Sequence, residues 1–289
     1  MLLNEAQTLE DDGRFYEALA LIDRVLGMDA DDRLVAAALT NKARVLAELD
    51  RTDQSLAACD EVIERFADQP DLVAYARYHR AASAFEHGRT AEALADVDQI
   101  LRNDPRDEDD LIIADALLLK ALVLRGEDGL ALYDEVAERY LDDDAITATA
   151  LAWKAELLGD LRRWDQGLTV ARNVIARFDG ATDSDVRIRV ASAHVWVAGY
   201  LARKRQWAGA IEAYGRLLDG FDATESDEMA TLVGWAREQR SALRVLYALR
   251  GPRVGAGVGV AALLIFTVFR RTGRRRDRER RRSVAVRLR

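Results

Sequence analysis

"GRFYEALALIDRVL", residues 13–26, returns five times along the chain in altered form. It recurs as "DRTDQSLAACDEVI" (50–63), "GRTAEALADVDQIL" (88–101), "GEDGLALYDEVAERY" (126–140), "RRWDQGLTVARNVI" (162–175) and "RQWAGAIEAYGRLL" (205–218). Each copy puts a small residue at one register: Ala18, Ser55, Ala93, Gly129, Gly167 and Ala210, at intervals of 37, 38, 36, 38 and 43 residues. An apolar residue follows at once (Leu19, Leu56, Leu94, Leu130, Leu168, Ile211), and another comes a turn or two later (Val25, Val62, Ile100, Val136, Val174, Leu217). That spacing paints one apolar stripe on a helix. The small residue marks where a second helix crosses closely enough that a larger side chain would push the two apart. An aromatic often closes the segment, as Phe66, Tyr140, Phe178 and Phe221 do.

The stretches between these segments supply the crossing partners. Leu39, Ala43 and Leu46 recur at i, i+4, i+7, as do Leu151, Ala155 and Leu158; His194, Ala198 and Leu201; and Arg77, Ala81 and Ala84. Each repeat is therefore read as a helix A followed by a helix B. The loops before the A helices are acidic ("DADD", "DPRDEDD", "LDDDA", "ATDSD", "ATESDE"). Asp and Ser there read as N-caps, and carboxylates favour helix N-termini. None of these runs has the spaced Asp, Gly and Glu of an EF-hand, so calcium is not expected. The composition agrees: 49% hydrophobic and 32% charged residues suffice for a folded core, and only Pro70, Pro105 and Pro252 interrupt helices among 289 residues.

Taken together these features resemble the tetratricopeptide (TPR) family. The resemblance rests on the small residue at the crossing, Gly13-Arg14 and Gly88-Arg89 at the turn, Phe15, Trp164 and Trp207 after it, and Pro105 after a B helix. "NKARVLAEL" and "AWKAELLGDL" resemble the variant repeats with Asn-Lys-Gly in helix A that are common in bacterial arrays. The family period is about 34 residues, lengthened here in the loops. The resemblance covers about residues 3 to 222. Three turns depart from it: "LRGEDGL" is shortened, and Asp50-Arg51 and Arg162-Arg163 lack glycine.

The family implies an all-α, right-handed solenoid of about six helix pairs, ending in a capping helix. That helix is "ESDEMATLVGWAREQRSALRVLYALR", whose apolar face is Met229, Leu232, Val233, Ala236, Leu243 and Leu246. Residues 1–249 then form the repeat domain. It also implies a protein–protein interaction scaffold whose A helices line a concave groove for a protein or peptide. Beside the buried stripe lie Thr40, Arg44 and Glu48; Tyr75, Tyr78, Ala82 and Phe85; Ala152 and Glu156; and Val195 and Gly199. Of these, Arg44, Glu48, Tyr75, Tyr78, Phe85 and Glu156 are the expected partner contacts, the aromatics being favoured anchors. Packing between A helices is the competing reading of the same positions. The family's basic and asparagine clamp on a C-terminal carboxylate is not evident.

No catalytic pattern is present, and neither enzyme activity, cofactor nor metal is expected. His79, His87 and His194 have no ligand spacing, and there is no HExxH, GxSxG or GxxxxGK[ST]. "GAGVGVA" from Gly255 follows no strand and is not a phosphate loop. Cys59 is the only cysteine, which excludes an intramolecular disulfide; it reads as a small buried apolar residue. "MLLNEAQTLEDDG" has neither a basic n-region nor an apolar h-region, so no signal peptide is expected.

The net charge of −8 conceals a split. From Arg270 onward eleven arginines face Asp277 and Glu279, a net +9, which leaves −17 for residues 1–269. Before that tail runs an uncharged segment from Val254 to Phe269, within a segment 250–269 set off by Gly251 and Pro252. At about 1.5 Å per residue it falls short of a roughly 30 Å hydrocarbon core, a gap that Arg253 and Arg270 could close by snorkelling. The expectation is a separate apolar helix that meets the membrane through Val254, Leu263, Leu264, Ile265, Phe266 and Phe269. Arg270, Arg271, Arg274 and Arg275, in a disordered tail 270–289, would then contact anionic lipid headgroups. Lying on the surface or folding back on the repeats are alternatives to spanning. The positive-inside count, eleven arginines downstream against five upstream (Arg237, Arg240, Arg244, Arg250, Arg253), opposes a cytoplasmic repeat domain. Absence of an export signal favours one, and membrane association with cytoplasmic repeats is the expectation. The alternative function is a soluble adaptor whose basic tail binds nucleic acid.

Overall fold

The computed structural model describes residues 2–102 and 111–249. Among them are thirteen α-helices and no strand. The helices are α1 (Leu2–Asp11), α2 (Phe15–Leu26), α3 (Asp32–Glu48), α4 (Thr52–Arg65), α5 (Pro70–Glu86), α6 (Thr90–Arg102) and α7 (Leu111–Leu124). They continue with α8 (Glu127–Arg139), α9 (Asp144–Asp160), α10 (Trp164–Phe178), α11 (Ser184–Arg203), α12 (Trp207–Gly220) and α13 (Asp227–Leu249). The odd helices up to α11 are A helices and the even ones are the six B segments. Pro105, the apolar segment 254–269 and the arginine-rich tail lie outside the described residues. Among the described residues no helix is long and apolar enough to cross a membrane.

The chain forms two compact units, one reaching to Val123 and one beginning at Leu124. In the first, α1 packs on α2, α3 on α4 and α5 on α6, and α3 also touches α5. In the second, α8 packs on α9, α9 on α10 and α11 on α12, while α9 touches α11 and α11 touches α13. Contact between one A helix and the next is what stacks helix pairs within each unit.

The crossing register holds throughout. Ala18, Ser55, Ala93, Gly129, Gly167 and Ala210 are all buried, as are Val25, Val62, Ile100, Val136, Val174 and Leu217. Four residues after the small one, Ile22, Cys59, Val97, Tyr133, Ala171 and Tyr214 are buried too. Cys59 thus fills a packing position, and burial pushes its thiol pKa up to about 12. The stripe is narrower than expected on one flank: Leu94, Leu168 and Ile211 are only half-buried. The closing aromatics carry an arginine over the ring, Arg65 on Phe66, Arg139 on Tyr140, Arg177 on Phe178 and Arg187 on Phe221, at 5.0–5.5 Å from the centroid. On α13, Met229, Val233, Ala236 and Leu243 are buried against α11 and α12, closing the apolar face of the last pair.

Local chemistry explains the helix ends. Asp31, Asp143 and Asp183 accept hydrogen bonds from Leu34, Ile146 and both Asp185 and Val186 backbone N–H groups, and the Ser226 hydroxyl accepts from Met229. Four of the acidic loops therefore supply N-caps, three to A helices and one to α13; the fifth lies outside the described residues. The turn from A to B needs one residue in the left-handed region, supplied by Gly13, Asp50, Gly88, Arg162 and Arg205, five residues before the crossing. At each, the next backbone N–H bonds back across the helix end, for example Arg14 to Leu9 and Arg163 to Leu158, which is a Schellman closure. The fourth turn differs. Arg125 and Gly126 both have positive φ there, the conformational form of the shortened "LRGEDGL".

Candidate functional site

In the first unit the A-helix face is polar and partly internal. Counting back from the left-handed turn residue, Thr40, Tyr78, Ala152 and Val195 share the register ten residues earlier, and all four are buried. An A helix touches both its own B helix and neighbouring A helices, so it is covered over a wide arc, and packing is the role these four positions have. Tyr78, 2% exposed, meets His79 edge-on with centroids 5.8 Å apart and is packing, not an open anchor. Arg44 is also internal, along with Ala82 at the same register. It bonds to Glu10 at 2.8 Å and to Gln7, tying α3 to α1.

Tyr75, Phe85, Glu48 and Glu156 remain half-buried, with part of each surface accessible. Tyr75 lies edge-on to His79 at 4.7 Å, and its hydroxyl pKa is raised by burial, with Arg44 opposing. Gly199 is half-buried as well. His194, expected on the buried stripe, is half-buried and edge-on to Phe221; burial, then the nearby Arg216 charge, lowers its pKa.

Between α3, α4 and α5 the small residues Ala43, Ala47, Ser55, Ala82 and Ser83 leave a cleft. Its other walls are Arg44, Glu48, His79 and Glu86, and its volume of about 20 Å³ admits one water-sized group. The Ser55 and Ser83 hydroxyls face each other at 3.3 Å. His79 is 7% exposed, and its Nε2 has no hydrogen-bond partner. Burial, and secondarily the charge of Arg44, depresses the His79 pKa to about 3, so the ring is neutral at neutral pH. Sequence reasoning passed over His79 as a histidine without ligand spacing. The available signal was the repeat of an acid two residues before the turn, Glu48 and Glu86, beside a histidine on the same helix face.

The second unit is aromatic where the first is polar. Trp196 of α11 lies over α9 and α10, tilted against Trp164 at 6.2 Å and stacked on Tyr200 at 6.1 Å. The Arg203 guanidinium sits 4.2 Å from the Trp164 centroid. A Cβ on Gly167 would stand 2.6 Å from the Trp196 ring, so here the crossing residue makes room for an indole as well as for a helix. On the B-helix side, α8, α9 and α10 enclose a larger cleft edged by the ion pairs Lys154–Asp134 and Arg163–Glu127.

The tetratricopeptide repeat family model matches residues 3–70 and 61–108, the stretch holding α1 to α6. No curated protein matches the chain. Among solved structures, that of NprR in complex with its cognate peptide NprX is similar, with a TM-score of 0.53 and 12% identity. The alignment covers 99% of this chain and 85% of that one. At that identity the likeness is one of fold. The family match shows tetratricopeptide repeats within residues 3–108, and the crossing register and left-handed turns carry the same pattern on through the later helix pairs.

Proposed function

We propose that this chain is a non-catalytic protein-interaction scaffold, and that the A-helix face of its first unit receives a segment of a partner protein. TPR repeats imply protein binding at the coarse level. The observation that carries the finer reading is the pair of half-buried aromatics, Tyr75 and Phe85, on the helix that also walls a polar cleft. NprR, similar in fold, was solved with its cognate peptide, which supports a peptide as the occupant. Replacing Tyr75 and Phe85 together by alanine should abolish crosslinking-based capture of partners from the native cell and leave the helical circular-dichroism signal intact. Capture that survives unchanged would move the site to another face.

On sequence grounds alone the proposal extends to the C-terminus. The uncharged run Val254–Phe269, followed by eleven arginines, would tether the repeat domain 1–249 to a membrane and hold it on the cytoplasmic side. The full-length chain should then sediment with membranes and resist carbonate. Release by salt would instead leave a surface-bound helix. Salt-dependent retention of nucleic acid by the tail, with no membrane association, would favour the soluble adaptor.

A further inference from the structure

We propose that Arg240 of α13, laid over Gly215 of α12 and flanked by Arg237 and Arg244, is a subsite for carboxylate side chains of an acidic partner segment. The site belongs to the second unit and does not depend on the A-helix face of the first.

The repeat shows what this contact holds elsewhere. Five residues after the crossing, α2, α4, α6 and α8 carry Asp23, Asp60, Asp98 and Asp134. Each is paired with a cation on the helix that follows: Lys42, Arg80, Lys120 and Lys154. α10 breaks the series with Arg172, and α12 breaks it with Gly215. Yet α13 still lays a guanidinium on that glycine. A Cβ there would stand 2.8 Å from Arg240 Nη2 and 3.2 Å from its Cζ, so the cation lies against bare backbone.

No carboxylate among the described residues takes the aspartate's place. Arg240 makes neither an ion pair nor a hydrogen bond there, and its Nε is buried without an acceptor. Acids of the same two helices are engaged elsewhere, Glu212 with Arg216 and Glu228 with Arg189. Arg240 is half-buried, which leaves its two Nη groups as the open edge. Arg237 and Arg244 are exposed, and neither is paired among the described residues. At i, i+3 and i+7 the three arginines lie on one face of α13, over about 10 Å of its length.

These features set the charge and the shape of the guest. Three unpaired arginines in line select an anion, on a chain whose residues 1–269 carry −17. The Nη edge of a guanidinium offers two parallel N–H donors, which a carboxylate meets in its own plane. Four repeats already place an aspartate carboxylate on the cation at this contact, so the recess over Gly215 suits that group. Cations one turn apart are matched by a row of acids, as an acidic protein segment presents. Half-burial of Arg240 favours a side chain that enters over a flat lipid surface.

The test uses the full chain with ¹⁵N-labelled arginine and hexaglutamate as the acidic probe. The eleven arginines after residue 269 also take up the probe, so the readout is the Arg240 Nε resonance, assigned by its loss in Arg240→Gln. That resonance should shift saturably with hexaglutamate and not with hexaglutamine. Gly215→Asp, which supplies the aspartate within the chain, should raise the hexaglutamate needed for half the shift about tenfold. The exposed pair Arg237→Gln and Arg244→Gln, replaced together, should do the same. Arg172→Gln removes an exposed arginine of α10 as the control for net charge and should leave the titration unchanged. An unmoved Arg240, an equal response to hexaglutamine, or an equal loss in Arg172→Gln would overturn the assignment. So would an unchanged titration in the Arg237 and Arg244 double variant, or in a Gly215→Asp chain of unaltered helicity. Phosphatidylserine vesicles that shift Arg240 where hexaglutamate does not would give the stripe to a lipid surface and overturn it too.

Discussion

Replacing Gly167 with alanine sets two effects of known size against each other. Gly167 lies inside α10, where helix propensity alone favours alanine by about 1 kcal/mol. Packing opposes it. The new Cβ would stand 2.6 and 2.7 Å from Trp196 Cζ2 and Cη2 and 3.0 Å from the Ala155 carbonyl oxygen. The carbonyl belongs to the α9 backbone and cannot retreat. The indole would have to slide by roughly 1 Å to reach ordinary contact, yet it lies over Gly159, where an added Cβ would stand 3.4 Å from it, and is stacked on Tyr200. Overpacking of this kind costs about 1–3 kcal/mol, so the net expectation is a loss of up to about 2 kcal/mol in urea unfolding. Gly234→Ala, in α13 with nothing within 4 Å of its new Cβ, is the control and should gain up to about 1 kcal/mol. Trp196→Leu removes both clashing atoms, and in that background Gly167→Ala should lose most of its cost, a coupling of about 1 kcal/mol or more. If Gly167→Ala stabilises as Gly234→Ala does, the account of this crossing is wrong.

Three further expectations follow from the same geometry. Asp50, Arg162 and Arg205, at φ of 57°, 62° and 58°, occupy the turn register of Gly13 and Gly88, so glycine at each should raise the unfolding free energy from urea titration by about 0.5 kcal/mol or more; a loss would mean that the side chains contribute more than their strain costs. Arg44→Met leaves Glu10 buried and should cost about 3 kcal/mol or more, most of it recovered in the Arg44→Met, Glu10→Leu pair; a near-neutral single variant would show the pair to be solvated. His79 has a folded pKa of about 3, below its unfolded value near 6.5, so the unfolded state binds the extra proton between them and stability falls as pH drops through 6.5. His79→Gln should remove up to about 1.4 kcal/mol per pH unit from the slope across that window, with Arg44, Glu48 and Glu86 as the charges facing the ring, and an unchanged slope would place a water or a proton there.

What the sequence shows best is what repeats. The crossing residues and the apolar residues on either side of them recur six times, so a single pattern outweighs any local ambiguity. Aspartate-rich loops read as N-caps because capping needs only one short acceptor three residues from its donor, and four of them do this. The turns were half legible: glycine signals a left-handed residue, but Asp50, Arg162 and Arg205 adopt the same conformation with no compositional mark. The site was harder to see for a physical reason. One apolar stripe does not decide whether Tyr78 and Arg44 line a groove or pack between helices, because an A helix is covered by its own B helix and by A helices beside it. Burial on such a helix depends on neighbours far apart in sequence, which no single periodicity encodes. Likewise the polar cleft arises from small residues on three helices, Ala47, Ser55 and Ser83 among them, none of which is unusual alone.

The comparison between repeats separates what the fold requires from what it merely tolerates. Six residues before the turn, α3 carries Arg44 and α5 carries Ala82; both are buried, so the architecture accepts a methyl group where the first unit places a guanidinium. A buried ion pair is a weak source of stability, because desolvation consumes most of the Coulombic gain. Alanine at Arg44 with an apolar residue at Glu10 would serve packing at least as well. Nine residues before the turn the contrast is sharper: the first unit holds Asn4, Asn41 and His79, and the second holds Trp153 and Trp196. The second unit closes this register with indoles edge-on to Tyr133 and stacked on Tyr200. The first leaves a neutral imidazole with an open nitrogen beside two carboxylates. The same helix pair folds with either filling, so packing tolerates the polar version rather than requiring it. Positions that repeat fix the fold, and the positions that break the repeat set the chemistry of each helix face without altering the crossing.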